Sequence, residues 1–93
     1  MLEKIGEIIA ILEAVGLTVT AKNNCIAAPK SYLFALQFPR LVKKVAKNAR
    51  LDAMMMEAIN AIDVTDIENL PPTLPASDQL RVIKGYYSAK AAL

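Results

Sequence analysis

Five basic side chains at three- and four-residue spacing are the first candidates for chemistry in this 93-residue chain. They are Arg40, Lys43, Lys44, Lys47 and Arg50. On one helix, at ~100° per residue, they fall on an arc of about 120°. Such a stripe can follow a phosphate backbone, where affinity depends on salt and not on base sequence. It can also contact a protein partner, or be the solvated face of an amphipathic helix.

The next part of the chain carries the opposite charge. Residues 14–51 contain seven bases and no acid, whereas residues 52–80 contain six acids and no base. The net charge of +2 therefore hides two blocks of opposite sign. The acidic side chains expected to contact a partner are Asp63, Asp66 and Glu68. The blocks can pair within the fold, at about 0–1 kcal/mol per surface pair, or between copies arranged head to tail.

Side chains that enzymes use are scarce. The chain has no histidine, so it lacks the usual general base near neutral pH and the commonest metal ligand. Its single cysteine, Cys25, cannot form a CxxC site and is typical of a buried small hydrophobe. The acidic residues at 63–68 lack the EF-hand spacing and are typical of a helix start. The three glycines are too scattered to cradle a phosphate. We expect no enzymatic activity, no cofactor, no metal and no small-molecule substrate.

Composition predicts a folded protein in a reducing compartment. Hydrophobic residues make up 55% of the chain, which excludes disorder. One cysteine cannot form an internal disulfide, and the N-terminus carries Glu3, Lys4 and Glu7 where a secretory signal would be basic and then apolar. The longest strongly apolar run, residues 8–12, is too short to span a bilayer. We expect a cytoplasmic protein without membrane contact.

Periodicity changes along the N-terminal part. Apolar residues at three- and four-residue steps predict a helix over residues 2–15, ended by Gly16. Residues 17–28 then alternate apolar and polar around an Asn-Asn pair, which predicts a β-hairpin. Residues 31–38 fit either a third strand or a short helix. We favour the strand, because its aromatic residues favour strands and Pro39 restricts Phe38 toward an extended conformation.

The C-terminal part has the helical period. The apolar side turns by about 110° between residues 39–50 and 51–62, which predicts two helices broken near residues 48–52, with Asp52 as the N-cap of the second. The segment 65–68 matches a capping box. A last helix is expected from Ser77 or Asp78. Its predicted inner side consists of Leu80, Ile83, Tyr87 and Ala91.

These elements together predict an α+β fold that is mostly helical. An N-terminal helix is followed by a short antiparallel β-ribbon of two or three strands and then by three to four helices. Residues 1–93 form a single compact domain, with the helix and ribbon in residues 1–38 and the helical part in residues 39–93.

One stretch resembles a known family. The sequence Ala58-Ile59, the pair Asp66-Ile67, Leu70 and the segment 78–81 follow one another as in the C-terminal part of phage tail-assembly chaperones. The similarity covers less than a third of the chain, and no functional residue is carried over. It implies a phage or mobile-element protein, located in a bacterial host cytoplasm or in a virion.

The function expected from these features is non-enzymatic. We predict a protein–protein interaction or assembly subunit, either self-associating or bound to another protein. The alternatives are a nucleic-acid-binding accessory protein that uses its basic helix, and a small inhibitor of a host enzyme.

Overall fold

The computed structural model describes residues 1–93 and is helical throughout. Its elements are α1 (Leu2–Ala14), α2 (Val19–Ala27), a π-helical turn (Lys30–Phe34), α3 (Pro39–Ala46), α4 (Ala49–Asn60), α5 (Val64–Glu68) and α6 (Ala76–Ala92). The predicted α+β class is wrong, because no β-strand is present. None of the helices has the length and apolar character needed to cross a membrane.

Helix α1 is the centre of the fold. It packs against α2, α3, α4 and α6, and most of its side chains are buried, including Ile11. Its end matches the prediction: Gly16 has a φ of 123°, and the Leu17 amide donates to the Leu12 carbonyl over 3.0 Å. This is a Schellman motif, which glycine favours because it adopts positive φ without strain.

Helices α1 and α6 cross with their backbones in contact. A methyl group at Gly85 would lie 2.6 Å from the Cα of Glu3, and one at Gly6 would lie 2.9 Å from the carbonyl carbon of Gly85. No side chain fits at either position. The two glycines therefore allow the close helix crossing, a role that their wide separation in sequence concealed.

The predicted hairpin over residues 17–28 is helix α2. Thr18 has extended backbone angles, and its hydroxyl accepts a hydrogen bond from the Ala21 amide over 3.2 Å, so the apparent strand contains a helix N-cap. A two-stranded ribbon needs a further strand or a helix to cover it. A helix satisfies its own backbone groups instead, and α2 buries Cys25 against the core.

The predicted strand over residues 31–38 is also absent. The chain forms the π-helical turn, which buries Leu33, and then reverses through Gln37 and Phe38, whose φ values are 59° and 45°. Phe38 is therefore left-handed, not extended as Pro39 predicted. A left-handed residue other than glycine costs about 1–3 kcal/mol. Packing of Phe38 against the core offsets this cost.

The predicted break between the two central helices is confirmed, but its cap is different. Asn48 is the N-cap of α4, since its side-chain oxygen accepts from the Leu51 amide over 3.1 Å, whereas Asp52 lies in the first turn. Similarly, Asp63 caps α5 ahead of the predicted capping box.

The predicted inner side of α6 is wrong. The helix buries Val82, Gly85, Tyr86 and Ala89. Leu80 and Tyr87, which were expected inside, are exposed. The close approach at Gly85 decides this face, because α6 can reach the backbone of α1 only on the side that lacks a side chain.

Candidate interaction surface

An open apolar groove lies on one side of the molecule. Its volume is about 250 Å³, and eight of its nine lining residues are hydrophobic. They come from α1, the π-helical turn, the segment before α3, and α3, α4 and α5: Ile8, Leu12, Leu33, Phe34, Gln37, Val42, Met55, Ile59 and Ile67. The segment predicted as a strand contributes Leu33, Phe34 and Gln37 to the lining of the groove.

Helices α3 and α5 both border this groove. Helix α3 packs on α4, and α5 packs on the π-helical turn, but α3 and α5 do not contact each other. Each contributes one lining side chain, Val42 from α3 and Ile67 from α5. The groove therefore separates a helix of the basic block from a helix of the acidic block.

Apolar side chains also remain exposed in and beside the groove. Val42 is 44% exposed and Ile59 is 47% exposed, although both line the groove. On α4, Met55 is buried and Met56 is 49% exposed, one turn before Ile59. These exposed apolar side chains and the groove together form the candidate interaction site.

Helix α3 borders the groove and forms its basic rim, with the cations on the solvent side of the helix. Its four exposed cations are Arg40, Lys43, Lys44 and Lys47, with Lys47 at the C-cap. None of them is in an ion pair. At ~100° per residue, all four cations lie about 100° to 160° around the helix from Val42, so they project away from the groove. Lys44 lies near Gly16.

Arg50, the fifth residue of the predicted stripe, is separated from the other four. It lies on α4, beyond the break, and its guanidinium donates to the carbonyl of Ala92 near the C-terminus. The single helix over residues 39–50 on which the five-residue stripe depended does not form. The basic rim therefore has four members.

The acidic rim of the groove is formed by α5. All three predicted acidic residues are exposed, and none is in an ion pair. Asp63 accepts from the Thr65 amide over 2.8 Å as the N-cap, while Asp66 and Glu68 flank Ile67. One cation is nearby, since the Lys30 ammonium donates to the Glu68 carbonyl over 2.8 Å.

The two charge blocks do not pair within the fold. Every ion pair in the structure uses an acid of α1, namely Glu3, Glu7 or Glu13. No pair joins a base of residues 14–51 to an acid of residues 52–80. The charges on both rims are therefore free to interact with another molecule.

A separate polar cluster lies away from the groove, where α1, α2 and α6 meet. The Glu13 carboxylate accepts from the Tyr86 hydroxyl and pairs with Lys22 at 3.1 Å and Lys90 at 3.3 Å. The Tyr86 hydrogen bond, aided by the two lysines, lowers the pKa of Glu13. The hydrogen bond to Glu13 raises the pKa of Lys22, and the bond to Tyr86 raises that of Lys90. The raised pKa values keep both lysines protonated, so the cluster joins three helices through charged hydrogen bonds.

Cys25 is fully buried, as its sequence context predicted, but in a helix and not in a hairpin. Its thiol donates to the Tyr32 carbonyl over 3.1 Å. Burial raises the pKa of this thiol to about 11, which keeps it protonated and unreactive at neutral pH. No group of three or more Cys, Asp or Glu side chains is arranged to hold a metal ion.

Searches of protein-family models, curated proteins and solved structures find no match to this chain. The groove and its two rims therefore carry the functional interpretation. Sequence reasoning identified the charged residues of both rims. It missed the groove, because the strand assignment placed residues 31–38 in a ribbon. The exposed side of Met54-Met55-Met56 was the one signal that could have indicated it.

Proposed function

We propose that this protein is a non-enzymatic assembly subunit that binds a protein partner through the groove between α3 and α5. One observation carries the proposal: an apolar groove is bordered by a basic rim and an acidic rim, and no ion pair in the chain neutralises either rim. Burial of the apolar groove would contribute to affinity through the hydrophobic effect. The charged rims would orient the partner and accelerate its association.

The proposed setting is the cytoplasm, in an assembly of the kind built by phages or other mobile elements. A buried, protonated Cys25 without a disulfide supports a reducing compartment. The resemblance of residues 54–70 and 78–82 to the C-terminal part of tail-assembly chaperones supports the assembly role.

A photocrosslinking experiment tests the proposed face. p-Benzoylphenylalanine replaces Ile59 in the groove, and a control chain carries it in place of Tyr87, which is exposed on α6 outside the groove. Both chains are irradiated in the cells that produce the protein. We expect a discrete protein adduct from position 59 and none from position 87. Equal adducts from both positions, or none from position 59, would contradict the proposal.

A second candidate function is nucleic-acid binding by α3. It is favoured by the four exposed cations of α3, which have no ion-pair partner. Four phosphate contacts predict that affinity for DNA falls roughly a hundredfold between 50 and 200 mM salt. Fluorescence anisotropy with a labelled duplex measures this change. Absence of salt-dependent binding to DNA and RNA would eliminate this candidate.

A further inference from the structure

We infer that the end of the molecule at which α1 and α6 finish binds the phosphate backbone of a nucleic acid, through cations of both α3 and α4. This inference rests on the second candidate function, because it completes the binding site of that candidate. The cations of this basic end come from two helices, and they are Arg40, Lys43, Lys44, Lys47 and Arg50.

Contacts with two other helices place α3 and Arg50 at the same end. A methyl group at Gly16, just after α1, would lie 4.0 Å from the Lys44 ammonium, so α3 borders the end of α1. The Arg50 guanidinium donates to the Ala92 carbonyl at the end of α6. The polar cluster around Glu13 joins these two helix ends to each other. The break before α4 therefore leaves Arg50 near the α3 cations, although it is not on their helix.

The other acids of α1 and α4 lie toward the opposite end of α1. Glu3 and Glu7 are in the first two turns of α1. The pKa of Lys4 is raised chiefly by its hydrogen bond to Glu7 and also by the charge of Glu57, so α4 ends beside the start of α1. The 13 residues of α1 extend about 20 Å, more than twice the Debye length of about 8 Å at physiological salt. These acids therefore do little to reduce the positive potential of the basic end.

Two acids lie nearer to the basic end, and neither neutralises it. Glu13 pairs with two lysines, Lys22 and Lys90, so the positive charges of that cluster outnumber its one negative charge. Asp52 is two residues after Arg50, which places it about 160° around α4 from Arg50. Because Lys22 and Lys90 are held within the fold, we assign the phosphate contacts to Arg50 and the four cations of α3.

The chemistry of the α3 cation face favours phosphates over lipids and bases. The four cations occupy an arc of ~100° that contains no apolar side chain, while Val45 on the apolar side of α3 is buried. A helix that lies on a lipid surface needs exposed large apolar residues beside its bases. The arc also contains no aromatic residue on which a base could stack. Contacts of this kind hold a backbone without reading its sequence.

The salt dependence of binding measures the number of phosphate contacts. Five contacts predict that log affinity falls with log salt concentration with a slope of about −4.5, whereas the four of α3 alone predict about −3.6. Between 50 and 200 mM salt, five contacts correspond to a loss of about 500-fold in affinity. Fluorescence anisotropy with a labelled duplex of mixed sequence measures both quantities.

Substitution of Arg50 tests its place in the site. Arg50→Gln should make the slope less steep by about 0.9 and weaken binding about threefold or more at 100 mM salt. Arg50→Lys keeps the charge and should retain the wild-type slope. The double variant Lys43→Gln, Lys47→Gln removes two contacts of α3 and should make the slope less steep by about 1.8.

Two variants control for unspecific effects of charge and of the groove. Lys84→Gln removes the same charge from α6 at the opposite end, beside Glu3 and Lys4, and should change affinity less than about twofold. Ile59→Ser alters the groove and should leave the affinity for the duplex unchanged, because the α3 cations project away from the groove.

A crosslink keeps the inference testable if Arg50→Gln is not helical by circular dichroism. p-Benzoylphenylalanine in place of Ala92, which Arg50 contacts, should form an adduct with the duplex on irradiation. The same residue in place of Ser88, beside Lys84 and away from the basic end, should form none. No adduct from position 92, or equal adducts from both positions, would overturn the inference.

The outcomes separate this inference from the functions proposed above. Absence of salt-dependent binding to DNA and RNA would overturn both the inference and the second candidate. A slope that Arg50→Gln leaves unchanged would overturn the inference alone. Polyglutamate of matched charge should compete at least about tenfold less well than unlabelled duplex, because a duplex carries one charge per about 1.7 Å and releases its condensed counterions. Equal competition would assign the basic end to acidic proteins and overturn the inference. The groove is tested separately, by the adduct from position 59.

Discussion

The two sides of this molecule use their polar and apolar groups in opposite ways. Where α1 crosses α6, two glycines bring the backbones together, and the acids of α1 pair with nearby bases. Around the groove, apolar side chains are half exposed, and the charges of α3 and α5 have no partner in the chain. The same 93 residues thus contain one region whose charged groups are paired within the chain and one region whose charged groups have no ion-pair partner.

If the proposed function holds, this difference separates residues that stabilise the fold from residues that bind the partner. Side chains that are already packed and paired contribute to the free energy of folding and leave no exposed apolar surface or unpaired charge for a partner. Exposed apolar groups and unpaired charges contribute little to folding, yet gain on association. Substitutions at the α1–α6 crossing should therefore lower stability, and substitutions around the groove should chiefly affect binding.

The largest effect is expected from Gly85→Ala. The added methyl group would collide with the backbone of Glu3, so α1 and α6 must separate. We expect a loss of about 3 kcal/mol or more in the free energy of unfolding, despite the higher helix propensity of alanine. Urea denaturation followed by circular dichroism measures it. Ser88→Ala, at an exposed site on the same helix, is the control and should change stability by less than about 0.5 kcal/mol.

A smaller loss is expected from Glu13→Gln. This change removes the charge that pairs with Lys22 and Lys90 and accepts from Tyr86, leaving two cations together. We expect a destabilisation of about 1–3 kcal/mol in thermal and urea unfolding. The matched control is Asp66→Asn on the acidic rim, where no ion pair is lost. Equal losses for the two variants would mean that the two sides of the molecule do not differ as described.

The smallest effect is expected from acid, which should lower the free energy of unfolding. Hydrogen bonds lower the pKa of two carboxyl groups of α1. The main donor to Glu13 is Tyr86, and the main donor to Glu3 is Arg81. A carboxyl group whose pKa is lowered on folding stabilises the protein above its ordinary pKa of 4.5. That contribution is lost as the pH falls through the lower, folded value. Urea unfolding at pH 7, 5 and 3 should show the loss below pH 5.

The Glu13→Gln variant provides the reference for this acid effect. It lacks the titrating group, so its stability should fall less steeply between pH 5 and pH 3 than that of the wild-type protein. An equal slope in both proteins would show that Glu13 does not contribute to the dependence on acid.

Sequence patterns predicted the structure correctly where the interacting groups lie within a few residues of one another. The Schellman motif at Gly16 and the break near Asn48 depend on backbone and side-chain groups within a few residues, and both form. The signals at residues 17–38 were ambiguous, because alternating polarity over a few residues also occurs in a capped helix. Thr18 caps the start of helix α2 in this region, and the alternation in polarity did not reveal that cap.

The candidate site was likewise predictable only in its local features. The exposed positions of Lys43, Lys47 and Asp66 follow from their charge and spacing, so sequence reasoning found them. The groove could not be predicted, because its lining comes from residues as far apart in the chain as Ile8 and Ile67. The position of Arg50 also depends on a tertiary contact, because its guanidinium donates to the carbonyl of Ala92.

The sequence alone determined the segregation of charge, the lack of histidine and the positions of most helices, since these depend on composition and local periodicity. Tertiary structure decided which faces are buried and which charges remain unpaired. The face of α6 illustrates the reason: close contact with α1 required Gly6 and Gly85 to meet, and their 79-residue separation gives no local sign of that contact. Burial and pairing depend on neighbours distant in the chain, and only the folded structure brings those neighbours together.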